Sequence, residues 1–197
     1  MPAAHEAHEQ AEHTEHIGGS NKKIALLISV IALFLAFSET LGKSAQTEAI
    51  ALTVKANDLW AFFQAKTIRM TAVRTVAELA QFQLAGVTDP EARPKLQKQI
   101  ETWQKTAARY DSEPETREGR KELQERALET EHERDTFLAR YHNYEIASAA
   151  FQIGIVLASA SVITGMVLLT WLAGGVALLG VVFTAFGLFA PTLLHLH

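Results

Sequence analysis

The chain has no cysteine, which excludes disulfides, thiolate metal sites and thiol nucleophiles. Proline is scarce, with five in 197 residues, and neither proline nor glycine falls between Gly42 and Gly86, so that stretch is free to form one helix. Charge is missing where its absence says most: from Ile146 to His197 there is no Asp, Glu, Lys or Arg. A glycine-rich phosphate loop, a nucleophile elbow and a His-Glu-x-x-His zinc motif are also lacking. Acids such as Glu129, Glu131, Glu133 and Asp135 are spread along helical turns and do not converge as a catalytic site requires. An enzyme is not expected, nor a cofactor. No A-x-A-like site follows the first apolar run, so a removable signal peptide is not expected.

The uncharged end contains two apolar stretches, 147–169 and 172–194, and about 20 such residues suffice to cross roughly 30 Å of hydrocarbon. A third run, 24–37, follows Lys22 and Lys23 and leads through Ser38, Glu39, Thr40, Leu41 and Gly42 to Lys43. Alone it rises about 21 Å, and with 38–42 about 28 Å. Three transmembrane helices are expected, over 22–42, 147–170 and 172–194, with a turn near 170–175. Glu39 lies in the last turn of the first. An acid in a span is a functional hint, which makes Glu39 a candidate for ion handling; the plainer alternative is that, one turn from Lys43, it reaches headgroups and water.

Between Lys43 and Glu145 stand 33 of the 40 formal charges, 16 basic and 17 acidic. Near-neutrality argues against nucleic acid, whose binding leans on clustered cations. Steps of four and three from Ala45 give Ala49, Leu52, Ala56, Leu59, Phe63, Lys66, Met70, Val73, Ala77, Ala80 and Leu84, a coiled-coil seam flawed only at Lys66. Gly86 is placed as a C-terminal cap with Pro90 beyond it. A second helix is expected over 94–110, and Ser112-Glu113-Pro114-Glu115 has the form of a capping box opening a third, 114–146. Arms of about 64 Å and 50 Å would close as an antiparallel hairpin. The expected fold is therefore an all-α membrane protein whose three transmembrane helices carry an extended antiparallel, coiled-coil-like stalk, 43–146, between the first and second.

Two groups of residues bear on assembly. Leu59, Trp60, Phe62 and Phe63 make the first arm apolar nearly all round, and a helix of that kind is surrounded by protein. More than one neighbour is expected, most simply further copies of the chain. Ala150, Gly154 and Ala158, then Ser161 and Gly165, and in the last span Ala173, Ala177, Gly180, Thr184 and Gly187, put small side chains on one face. Such faces let backbones approach in lipid, within one chain or between chains. The tail 1–21, with His5, His8, His13 and His16 among four glutamates, reads as mobile and solvated; its His pairs, and the terminal His195 and His197, are weak metal candidates. Lys/Arg near the span ends number four on the stalk side and two on the other, which favours a cytoplasmic stalk, while the paired Lys22 and Lys23 directly before the first span argue the other way.

With the opening 22–42, the stretch Asn57-Asp58-Leu59-Trp60-Ala61-Phe62-Phe63-Gln64-Ala65-Lys66 and the span 147–165 in view, the chain resembles an uncharacterised bacterial membrane family, domain of unknown function 4337. The resemblance covers about 20–195. It implies a bacterial inner-membrane protein and brings no activity, substrate or catalytic residue. The residues themselves point to a non-enzymatic homo-oligomeric scaffold bound to membrane lipid. The alternative is an oligomeric channel or transport accessory with Glu39 near the pore mouth.

Overall fold

The computed structural model describes residues 22–193 in full and, for 3–21, the course of the backbone alone. Four helices follow one another: α1 (Ala3–Leu84), α2 (Ala92–Asp111), α3 (Arg120–Thr164) and α4 (Val167–Phe189), with no strand among the described residues. Three of them, α1, α3 and α4, are long and apolar enough to cross a membrane. The readings of the His/Glu tail and of His195 and His197 fall on side chains outside the described residues.

The chain divides into two compact units, one made of Met1–Glu48 with Thr136–His197 and the other of Ala49–Asp135. In the first, the residue pattern is that of a water-soluble protein turned inside out. Leu26, Leu33, Phe37, Val156, Ile163, Leu178 and Phe189 face outward, while Ser38, Ser161, Asn143, Ala147, Ala158 and Ala173 are buried. In water this would expose far more grease than a folded protein tolerates; in lipid it is the favourable arrangement, with small and polar groups placed between helices. Ser38 donates to the carbonyl of Tyr144 (3.1 Å), and the Asn143 amide donates to Ala139 O (2.9 Å) and Pro191 O (3.2 Å).

The helical hairpin turns earlier than its sequence indicates. The spans read as 147–170 and 172–194 are in fact the end of α3, at Thr164, and α4, from Val167 to Phe189. The turn is at Gly165 and Met166; the Gly174-Gly175 pair lies inside α4. Gly165 has φ +68°, a left-handed conformation that costs a glycine little. Hydroxyls close the bend. Ser161 donates to Met166 O (3.1 Å) and its oxygen lies 2.6 Å from that of Thr170, while the Gly165 N–H reaches Ser161 O (2.9 Å). These bonds replace the carbonyl partners lost at the helix end.

In the Ala49–Asp135 unit the seam residues of α1 are buried or half-buried, and Leu59 packs with Leu123 and Ala127 of α3. Lys66, the one charge in the seam, has a physical reason to be there. Its ammonium lies 3.9 Å from a Glu113 carboxylate oxygen and 5.5 Å from the Tyr110 ring centroid, at the place where α2 gives way to α3. Gly86 does not cap α1 in the left-handed form: its N–H bonds to Gln83 O (3.0 Å), a tightened last turn with no positive φ. Helix α2 begins at Ala92 and ends at Asp111, slightly longer than 94–110.

The capping box Ser112-x-x-Glu115 does not form, and the third helix starts at Arg120, not at 114. Residues 113–117 make a separate turn, with Arg117 N–H to Glu113 O (2.9 Å) and Arg117 at φ 55°. Glu122, in the first turn of α3, takes the role instead: it accepts from the Ser112 hydroxyl and from the Glu113 N–H (3.1 Å). Beside it Asp111 accepts from Arg120 Nη2 (2.8 Å) and lies 3.0 Å from Lys121 Nζ. The Lys121 hydrogen bond, with that of Arg120, holds Asp111 below the usual carboxylate range, and the Ser112 hydroxyl does the same for Glu122. Depressed folded-state values mean that this clasp contributes fully above about pH 4, the unfolded range, and is lost as pH falls through the folded values. Thermal unfolding followed by circular dichroism from pH 7 to pH 3 is expected to show a falling midpoint below about pH 4. The fall should be smaller in the Asp111→Asn, Glu122→Gln double variant, which starts lower at pH 7; an equal fall would contradict the assignment.

Candidate functional site

The residues singled out for assembly separate into inner and outer sets. Gly154 lies with its Cα face against Ala173 O, Ala177 and Ile31, Gly180 abuts the Phe151 ring, and Gly187 abuts the Tyr144 ring. Ala158 is fully buried with Ile24 and Ala173. All four therefore serve close packing of α1, α3 and α4 within one chain. Gly165 does not pack at all: a Cβ there would meet nothing within 4 Å, and the residue serves the turn.

In the other unit the aromatic stretch is partly covered by its own chain. Trp60 donates its indole N–H to Glu131 (3.0 Å) and stands edge-on to Phe63 at 5.4 Å, and the Arg120 guanidinium lies 5.7 Å from the Phe63 ring centroid. Phe62 points away and is 58% exposed. It forms one lip of an apolar cavity of about 400 Å³ lined by Val54, Asp58, Leu59, Phe62, Leu123 and Arg126.

Phe62 borders a larger feature. Ile50, Val54, Ile68, Val76, Leu79 and Phe82 are all exposed, Ile68 at 69%, Leu79 at 61% and Phe82 at 83%. At 100° per residue Ile50, Val54, Ile68, Leu79 and Phe82 fall, with Ala61, Ala65 and Ala72, on the side of α1 away from the buried seam, and Val76 falls between the two. The helix thus carries two apolar stripes, and the described residues cover only one. The signal for the second was in the sequence, as the three-four series 50, 54, 57, 61, 65, 68, 72, 75, 79, 82, but alanines, Asn57 and Thr75 dilute it beside the stronger seam.

A second feature lies in the unit made of Met1–Glu48 with Thr136–His197. Glu39 is on the exposed side of α1, where the Gln152 amide of α3 reaches it at 3.4 Å. Around them is a groove of about 430 Å³ that also takes in Lys43, Tyr141, Glu145 and Ser148. Tyr141 donates to Glu145 at 3.4 Å. The sequence named Glu39 but not its companions, since α3 is more than a hundred residues away in the chain.

A family model described as a domain of unknown function, DUF4337, matches residues 20–190. The chain belongs to the DUF4337 family. No curated protein and no solved structure matches it. The matched residues take in the outer stripe of α1, the Glu39 groove and the α3–α4 turn.

Proposed function

We propose that this DUF4337 chain is a non-enzymatic membrane scaffold that self-associates through the outer stripe of α1. The observation that carries the reading is the row of exposed Ile50, Val54, Phe62, Ile68, Val76, Leu79 and Phe82. Together they leave on the order of 800 Å² of apolar surface uncovered, more than the largest patch on a typical monomer and about what one partner of a stable protein interface buries. Of these, Ile50, Val54, Ile68, Leu79 and Phe82 fall on one three-four series with Ala61, Ala65 and Ala72 between them, which suits a coiled-coil-like pairing with the same stripe of another copy; Phe62 and Val76 stand at its edge. Trp60 and Phe63 support that surface from behind; Leu59 holds it to α3. The spans hold each copy in the bilayer by the internal packing of Gly154, Ala158, Gly180 and Gly187 and leave their outer faces to lipid. In this reading the protein sits in a bacterial inner membrane with the Ala49–Asp135 unit on the cytoplasmic side, as the lysine and arginine count at the span ends favours.

The absence of cysteine provides the test. Ile68→Cys or Leu79→Cys in isolated membranes is expected to give a disulfide-linked dimer on mild oxidation. Glu101→Cys, exposed on α2, should not. Equal cross-linking at all three positions, or none at Ile68 and Leu79, would overturn the reading.

A further inference from the structure

The Glu39 groove has a composition that self-association does not use. We propose that it binds the headgroup of a zwitterionic phospholipid bearing a primary ammonium, the phosphoethanolamine class. Three observations converge on this. The first is position: the groove forms where the apolar run of α1 ends, between Ser38 and Lys43, and where α3 passes from Tyr141 and Glu145 to its uncharged part, so it lies at headgroup depth when the spans are in a bilayer.

The second is unspent charge. Among the described residues Glu39 takes only the long Gln152 contact and Glu145 only the long Tyr141 contact, and neither lies within 4.0 Å of Lys43 despite the shared groove. Charges held apart at the edge of a low-dielectric region attract complementary groups from their surroundings. Two carboxylates and the Tyr141 oxygen offer acceptors for the three N–H donors of a primary ammonium, and Lys43 offers a cation to the phosphate beside it.

The third is the balance. Two acids against one lysine give the groove a net charge of about −1, which repels an anionic headgroup and suits one whose ammonium leads. A choline headgroup has the charge but no N–H to donate, so it leaves the carboxylates without hydrogen bonds. The volume, about 430 Å³, is within the range of small-molecule sites, and a headgroup held there would leave its acyl chains in the bilayer.

Native mass spectrometry of the full chain tests this, with the protein released from micelles doped with equal amounts of phosphatidylethanolamine, phosphatidylcholine and phosphatidylglycerol of matched chains. Wild type is expected to retain the ethanolamine lipid about tenfold over either other lipid. Glu39→Gln with Glu145→Gln should bring that ratio to within about twofold, and Lys43→Gln should weaken retention while leaving the carboxylate contacts. These side chains are exposed and outside the helix-packing cores, so an unchanged thermal midpoint is expected to certify that the variants are folded. Soluble glycerophosphoethanolamine is expected not to compete at equal concentration; competition would overturn the lipid assignment in favour of a soluble ligand. Equal retention of the three lipids by wild type, or a preference that survives the double substitution, would overturn the proposal itself.

Discussion

Gly119→Ala is expected to destabilise the Ala49–Asp135 unit by about 3 kcal/mol, the upper range for overpacking. A Cβ at Gly119 would overlap the Glu122 carboxylate, the Glu113 backbone nitrogen and the Ser112 Cα. The carboxylate could swing aside only by giving up its bonds to Ser112 and Glu113, and backbone atoms cannot swing aside at all. Gly119 also supplies the first carbonyl of α3, accepting from Leu123 N–H at 2.9 Å, so moving it moves the helix start. Gly174→Ala is the contrast, since a Cβ there meets nothing within 4 Å; it should leave the thermal midpoint unchanged or raise it slightly, given alanine's higher helix propensity of about 1 kcal/mol. Circular dichroism melts of the two variants check both statements. Equal stability of the two variants would show that the close approach of α2 and α3 at Gly119 is not a constraint.

The largest effect on assembly is expected from Ile68→Glu combined with Leu79→Glu. Both side chains are well exposed in the single chain, so folding should change by only about 0.5 kcal/mol. In a paired stripe the same positions are dry. Each substitution then loses about 2 kcal/mol of apolar burial and leaves a carboxylate to be desolvated without a partner, and the two together are expected to weaken association at least about a thousandfold. Leu59→Ala separates the two stripes experimentally. Leu59 is buried against Leu123 and Ala127, so its truncation should cost about 2–5 kcal/mol of folding and affect association only through that loss. A sedimentation series on the three proteins distinguishes these patterns.

What the sequence made legible followed from periodicity. The seam from Ala45 to Leu84 is buried or half-buried at every position, because a three-four repeat of apolar groups without proline or glycine leaves a helix one face to bury. The length and lack of charge at 147–194 likewise sufficed for the span-forming helices. What it obscured depended on contacts distant in sequence or on competing local signals. By sequence Gly165 reads as a packing residue and the turn is expected near 170–175, because the uncharged run offers no charge to mark it; the hydroxyls of Ser161, Thr164 and Thr170 close it at Gly165 instead. Ser112 found its acceptor ten residues on, in Glu122, because the turn at 113–117 folds α3 back beside the end of α2; a local motif cannot report that. Phe62 was read as one of four aromatic or aliphatic neighbours on a helix covered on every side. In the structure Leu59 is buried and Trp60 and Phe63 half-buried, while Phe62 marks the edge of the uncovered stripe. The companions of Glu39 in its groove could not be named from α1 alone, since Tyr141, Glu145 and Gln152 come to it only through the packing of α3.

Multi-angle light scattering on the wild-type chain in detergent measures the central quantity directly: the protein mass of the particle. Self-association through α1 predicts a mass that is a whole multiple, two or more, of 21.7 kDa, persisting as the sample is diluted toward micromolar concentration. A particle of one chain at every workable concentration, with Ile68, Leu79 and Phe82 as accessible to solution reagents in the membrane as they are in the single chain, would contradict it.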